Sequence, residues 1–251
     1  MLKLPGSIHH AETKEDLFDD LAMILMGKAQ DAIKERGVFH LALSGGSTPE
    51  PFYTDLIIDP RYRGIPWSET HIWIVDERRV PEGDEKSNIR MIRECLTAHI
   101  PNDDEQIHVI RATEDDADTA YEAELRAQFP DAETPILDFV LLGMGTDCHT
   151  ASLFPHSDAL HITDKLIAIN AGPNVTPPDR VTMTYPLLNA ARHLGVLCTG
   201  INKFEALEKV ANQMKSGSPD IENLPITGIQ PTNGTLTWYV DHAAILGEEV
   251  E

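Results

Sequence analysis
The 251 residues are 41% apolar, enough to bury one substantial core, and the length suits a single α/β domain spanning 1–251. Lys and Arg number 20 against 41 Asp and Glu, and the resulting net charge of −21 repels phosphate backbones and anionic bilayers, so neither nucleic acid nor membrane is an expected partner. Three scattered cysteines without a CxxC pair suggest neither a disulfide framework nor a thiolate zinc site, and no stretch approaches the ~20 apolar residues of a bilayer span, so a soluble cytoplasmic protein is expected.

In chain order, Leu17, Leu21, Ile24, Leu25 and Ile33 recur at helical spacing among Lys, Asp and Glu, which predicts an amphipathic helix over 14–36 ended by Gly37. Short runs rich in apolar residues follow at 38–43, 71–75, 107–110 and 137–142, several of those residues β-branched or aromatic, as strands buried on both faces require. Helical stretches near 49–58, 87–98 and 114–129 alternate with them, the last opening on the acidic EDDAD that suits a helix N-terminus. Further strands are predicted at 165–170, 180–184, 194–198 and 235–240, with helices after Pro186 and around 203–213. The Pro- and Gly-bearing stretches 172–178 and 216–234 read as surface loops. This alternation predicts an α/β fold, a parallel doubly wound sheet flanked by helices, with its ligand crevice outside the carboxyl ends of the strands.

Three strand-end loops carry chemistry. Ser44-Gly45-Gly46-Ser47-Thr48-Pro49 follows a buried strand and opens a helix, with Thr48 as the expected N-cap; glycines let backbone approach an anion, although an ordinary tight turn has the same appearance. The Walker ending GK[ST] is missing, so nucleotide binding gains nothing from this turn. Asp76-Glu77-Arg78-Arg79 places two cations at a strand end in a chain that has few; one should face the ligand, while an internally paired charge run is the competing explanation. Gly143 to Thr150 (GMGTDCHT) sets Asp147 two residues before His149, and a crevice histidine beside a carboxylate can take a proton from water. Arg180 and Lys203, taken alone, read as surface charges. No GxSxG elbow, HExxH or EF-hand loop is present, and GMGTDC lacks the third glycine of a dinucleotide fingerprint.

Taken together and in order, LALSGGSTPEPFY, WIVDERRV followed by Ser87-Asn88, LLGMGTDCHTASLFP, RVTMTYPLLNAAR and the Thr199-Gly200 to Lys203 stretch resemble the 6-phosphogluconolactonase family over about residues 10–245. The resemblance implies a NagB/RpiA-like fold with a smaller β region beside the parallel sheet. It implies hydrolysis of 6-phosphogluconolactone to 6-phosphogluconate in the pentose phosphate pathway, with His149 as general base and Asp147 supporting it. The phosphorylated sugar lactone would be held by Ser44, Gly45, Gly46, Ser47 and Thr48 with Arg78, Asn88, Arg180 and Lys203, and neither a metal nor an organic cofactor is expected. One departure stands out: the family reads GMGxDGHT, and Cys148 replaces the glycine before His149, with strain or crowding of the substrate as the consequence if that position needs φ > 0. Two alternatives remain. One is an amino-sugar phosphate deaminase or isomerase, disfavoured because Thr150 to Phe154 offer no carboxylate; the other is a sugar-phosphate sensor inactivated at Cys148. No signal for an oligomeric state is present.

Overall fold
The computed structural model describes residues 2–248. Seven strands form a parallel sheet: β1 (Ser7–Ala11), β2 (Phe39–Leu43), β3 (Thr70–Ile74), β5 (Ile107–His108), β6 (Phe139–Gly143), β9 (His193–Cys198) and β10 (Thr235–Asp241), in the order β1-β10-β9-β6-β2-β3-β5. A second, antiparallel sheet has the order β4-β8-β7, from β4 (Asp76–Arg78), β7 (Ile167–Ala171) and β8 (Asp179–Met183). Helices α1 (Lys14–Arg36), α2 (Pro49–Ile58), α3 (Asn88–Cys95), α4 (Ala117–Gln128), α5 (Tyr185–Leu188), α6 (Phe204–Met214) and α7 (His242–Leu246) flank them. Among the described residues no helix is long and apolar enough to cross a membrane.

From β2 the chain runs outward through β3 to β5, then returns to lay β6 on the other side of β2 and continues outward through β9 and β10. Strand order therefore reverses between β2 and β6, whose register pairs Leu41 with Phe139 and Leu43 with Leu141. A crevice opens at the carboxyl ends where two neighbouring strands send their connections apart. Every residue of β2 is buried, as a central strand covered on both faces must be.

Helix α1 has the bounds its periodicity predicts. Thr13 caps it by accepting from the Asp16 amide at 3.1 Å, and Gly37 ends it at φ 77° with its N–H on Ile33 O. Its buried stripe is Leu17, Leu21, Leu25, Ala29 and Ala32, while Ile24 and Ile33 are only half-buried at its margin. The strand expected at 107–110 shrinks to two residues, and the helix after Pro186 is a single turn that contains that proline. Strands β1 and β4 and helix α7 were not anticipated: SIHHA sits on the sheet's edge with no apolar alternation, and DER is a charged triplet.

In the register of β4 and β8, Arg78 stands directly opposite Arg180. Like charges in cross-strand register destabilise a sheet unless an anion answers them, so this small sheet is built for something other than its own stability.

The flank of the large sheet near β5 holds a histidine cluster. His40 pairs in register with His71, accepts from Trp73 Nε1 at 3.2 Å on Nδ1, and His108 stacks on Trp73 with 3.6 Å between ring centroids. Burial, helped by His71, His108 and Arg36, pushes the His40 pKa down to about 3, and burial with Lys28 brings His193 to about 4. In the unfolded chain both would take up a proton near the ordinary histidine value of about 6.5. Below that pH the unfolded state binds protons that the folded state refuses, so stability is lost on acidification, until about pH 4 for His193 and about 3 for His40. Urea midpoints should therefore fall between about pH 7 and about pH 4.5, and His40→Leu should show a shallower fall; parallel slopes would mean that His40 titrates freely in the folded protein.

Candidate active site
The loop after β2 and the loop after β6 face each other across a crevice of about 440 Å³. Ser44, Gly45, Gly46, Ser47, Thr48, Arg78, Asn88, His149, Arg180 and Lys203 all line it; Asp147 does not, and stands on the far side of the histidine ring beside a neighbouring cavity of about 370 Å³.

Two glycines of the first loop are needed for different reasons. A Cβ on Gly45 would collide with the Asn88 carboxamide, and Gly46 has φ 110°, which side chains disfavour. Thr48 corrects an expectation: it is helical (φ −74°, ψ −51°) and its side chain caps nothing, because helical hydrogen bonding begins two residues earlier with Glu50 N–H on Gly46 O. Among the described residues the amides of Gly45, Gly46, Ser47 and Thr48 meet no acceptor, and the buried Ser44 Oγ has no partner. These donors gather at one wall, an arrangement that suits an anion.

The opposite walls supply charge. Of the paired arginines, Arg78 faces the crevice, its guanidinium resting on Lys86 O at 2.5 Å, whereas Arg79 turns away to Ala112 O and Glu114 O. Glu77 is buried and accepts from Ser87 Oγ and from the amides of Arg78, Asn88 and Ile89. It thereby anchors the start of α3 to β4, even though burial raises its pKa. Asn88 is held by its Nδ2 on Asp76 O at 2.7 Å. Arg180 is buried over the Phe154 ring at 5.7 Å and donates to the carbonyls of Pro177 and Asp179; burial and then Arg78 lower its pKa. Lys203 Nζ reaches Met144 O at 2.7 Å, which ties the loop after β9 to the loop after β6.

His149 Nδ1 lies 2.5 Å from Asp147 Oδ1, which also accepts the His149 amide at 3.2 Å. Burial opposes ionisation of Asp147, and the hydrogen bond and charge of His149 outweigh it, holding the carboxyl below its ordinary value. A carboxylate only accepts, so Nδ1 carries the proton and the lone pair of a neutral ring lies on Nε2. A Cβ on Gly145 would strike the imidazole and the Asp147 carboxylate, so the glycine makes room for this pair.

Cys148 has φ 64°, the left-handed conformation a glycine would take without strain. Its side chain is fully buried with Sγ 3.7 Å from Ala206 O on α6, so it does not crowd the crevice, and burial pushes the thiol up to about 11. A thiol held in that state is a poor nucleophile.

Other lining residues escaped the sequence reading. Asp76 lines the crevice and accepts from Ser152 Oγ at 2.5 Å, although its place in the DERR run marks it only as a charge partner of the arginines. Phe154, within the LLGMGTDCHTASLFP motif but given no role there, also lines the wall with Val175 and Thr176 from the loop 172–178, which no motif marks.

Residues 12–238 match the family model described as glucosamine-6-phosphate isomerases/6-phosphogluconolactonase. A 6-phosphogluconolactonase of Nostoc sp. is 37% identical over 246 residues, which cover 93% of this chain and 97% of that one. The GDH/6PGL endoplasmic bifunctional protein of Oryctolagus cuniculus is 36% identical over 93% of this chain, and the chain spans only 29% of that protein's length. Among solved structures, the 6-phosphogluconolactonase of Thermotoga maritima superposes with a TM-score of 0.77 at 26% identity, covering 94% of this chain and 99% of that one. A monomeric glucosamine-6-phosphate deaminase superposes almost as well, with a TM-score of 0.76 at 20% identity over 95% of this chain and 98% of that one, so it speaks for the fold alone. By family model, full-length relatives and a mostly parallel sheet with its small antiparallel companion, the chain belongs to the glucosamine-6-phosphate isomerase/6-phosphogluconolactonase family.

Proposed function
We propose that this chain hydrolyses the ring ester of 6-phosphogluconolactone to 6-phosphogluconate, in the pentose phosphate pathway, as a single cytoplasmic α/β domain. One observation carries the reading: the free Nε2 of a carboxylate-backed histidine belongs to a crevice lined by open amides and by Arg78, Arg180 and Lys203. Curated relatives matched over nearly their whole length are named for this activity, and the three unpaired cysteines suit a reducing compartment.

In this mechanism His149 Nε2 takes a proton from water as the oxygen adds to the lactone carbonyl carbon, giving a tetrahedral oxyanion. Collapse breaks the bond to the ring oxygen, which takes the proton back from the imidazolium, so the histidine ends as it began. Asp147 fixes the tautomer and stabilises the transient cation. The Ser44–Thr48 turn, Arg78, Arg180 and Lys203 hold the phosphate, and Asn88 positions the turn against α3. Binding energy far from the carbonyl thus orients it against the base.

A second reading has one observation in its favour. Asp76 brings a carboxylate into the crevice that the residues after His149 do not supply, and a carboxylate base suits ring opening of an amino-sugar phosphate. Release of ammonia from glucosamine 6-phosphate faster than lactone hydrolysis would favour it.

His149→Ala should lower lactone hydrolysis by about 10²- to 10⁴-fold while 6-phosphogluconate binds within about threefold of wild type. Arg78→Ala should instead weaken that binding by about 10- to 100-fold. A His149→Ala protein that turns over at the wild-type rate would remove the base. The sensor alternative requires that wild type bind 6-phosphogluconate without accelerating hydrolysis; Cys148 gives no ground for that, since its side chain leaves the crevice free. Relief of left-handed strain, about 1 kcal/mol, and loss of the buried CH₂SH group, about 1 kcal/mol, nearly offset each other. Cys148→Gly should therefore change stability by less than about 1 kcal/mol and keep activity, whereas branched Cys148→Val should cost more than about 2 kcal/mol, read from urea midpoints.

A further inference from the structure
His10 at the end of β1, Glu12 just beyond it and His242 at the start of α7 place their ligand atoms within 4.8 Å of one another. His10 Nε2 and His242 Nδ1 are both buried and both lack a hydrogen-bond partner among the described residues. Glu12 Oε2 lies 3.1 Å from His242 Nδ1 but out of line for a hydrogen bond, and the two rings are tilted at 42° with centroids 5.9 Å apart. Two orphaned imidazole nitrogens beside a carboxylate are costly as a purely structural arrangement, since each buried polar atom left unpaired forfeits its hydration.

We propose that His10, Glu12 and His242 bind one divalent transition-metal ion of the zinc class, with water as the fourth ligand. Two imidazoles and a carboxylate form a nitrogen-rich donor set that suits Zn²⁺ or Co²⁺ better than Ca²⁺ or Mg²⁺, which take oxygen ligands. Tetrahedral bonds of about 2.0–2.1 Å place neighbouring donor atoms about 3.3 Å apart, so closure needs a shift of about 1–1.5 Å at the widest spacing. The Glu12–His242 spacing of 3.1 Å already fits, so the closure falls on the approach of His10, made by rotation of the two imidazole rings together with the 68% exposed Glu12 side chain.

The backbone that presents the histidines is already fixed. His10 lies in register with Val240, and Asp241 anchors the start of α7 by accepting from Gly200 N–H and Ala244 N–H. None of the three ligands lines the crevice. The ion would therefore staple the edge strand β1 to β10 and α7 and take no part in lactone hydrolysis. A net charge of −21 favours a cation there at no cost to solubility.

Zn²⁺ and Co²⁺ should be titrated calorimetrically into the full chain after stripping with EDTA. One equivalent is expected, with a thermal midpoint raised by about 5–10 °C at a hundredfold excess over Kd. His10→Ala and His242→Ala should abolish stoichiometric uptake, and Glu12→Gln, a change at an exposed side chain that leaves the fold intact, should weaken it at least tenfold. His149→Ala should leave stoichiometry and affinity unchanged, and stripped protein should keep its lactone hydrolysis. Absence of saturable uptake, uptake unchanged in both His10→Ala and Glu12→Gln, or uptake lost in His149→Ala would each overturn the site.

Discussion

Everything at the crevice depends on the parallel pairing of β2 with β6 at the point where strand order reverses. Each strand is apolar and buried, and each must end in a loop on the same side of the sheet. One loop brings the donors of Ser44 to Thr48, the other brings Asp147 and His149, and the two face each other because their strands are neighbours. Slipping the register by one residue would turn the buried set of β2 over and carry the turn out of line with the histidine. Packing at the sheet centre thus decides the geometry of the chemistry at its rim.

Electrostatics adds a second constraint. A chain of net charge −21 repels a phosphorylated substrate at long range, so attraction must be local. Arg78 and Arg180 in cross-strand register, with Lys203 from the loop after β9, concentrate positive charge where bare protein would prefer to disperse it. The small antiparallel sheet makes sense as the platform for that pair. Its stability is lent by neighbours, notably Glu77 binding the start of α3 and Ser152 donating to Asp76.

The parts of this design that follow from periodicity were legible in the sequence. Helix α1 with its Gly37 end, buried β2 and β6, and the glycine loops after them obey local rules that survive tertiary packing. What was hidden depends on partners distant in the chain. SIHHA becomes a strand only because β10 offers an open edge, and DER only because β8 lies beside it. Thr48 looked like a cap, but the Gly46 carbonyl takes that part of the turn. Asp76 was indistinguishable from its charged neighbours until β4 turned it toward the crevice, and the direction of the Cys148 side chain, toward α6, is a property of a φ angle that composition does not encode.

The hydrolysis proposed for this crevice needs Asp147 to hold the proton of His149 on Nδ1 and leave Nε2 free to act as a base. Nitrogen-15 chemical shifts of the His149 ring in the free protein near neutral pH, assigned by difference from His149→Ala, read that tautomer. The neutral ring is expected to be protonated at Nδ1 with an unprotonated Nε2. A neutral ring protonated at Nε2 would contradict it, because no lone pair would then be available for water in the crevice.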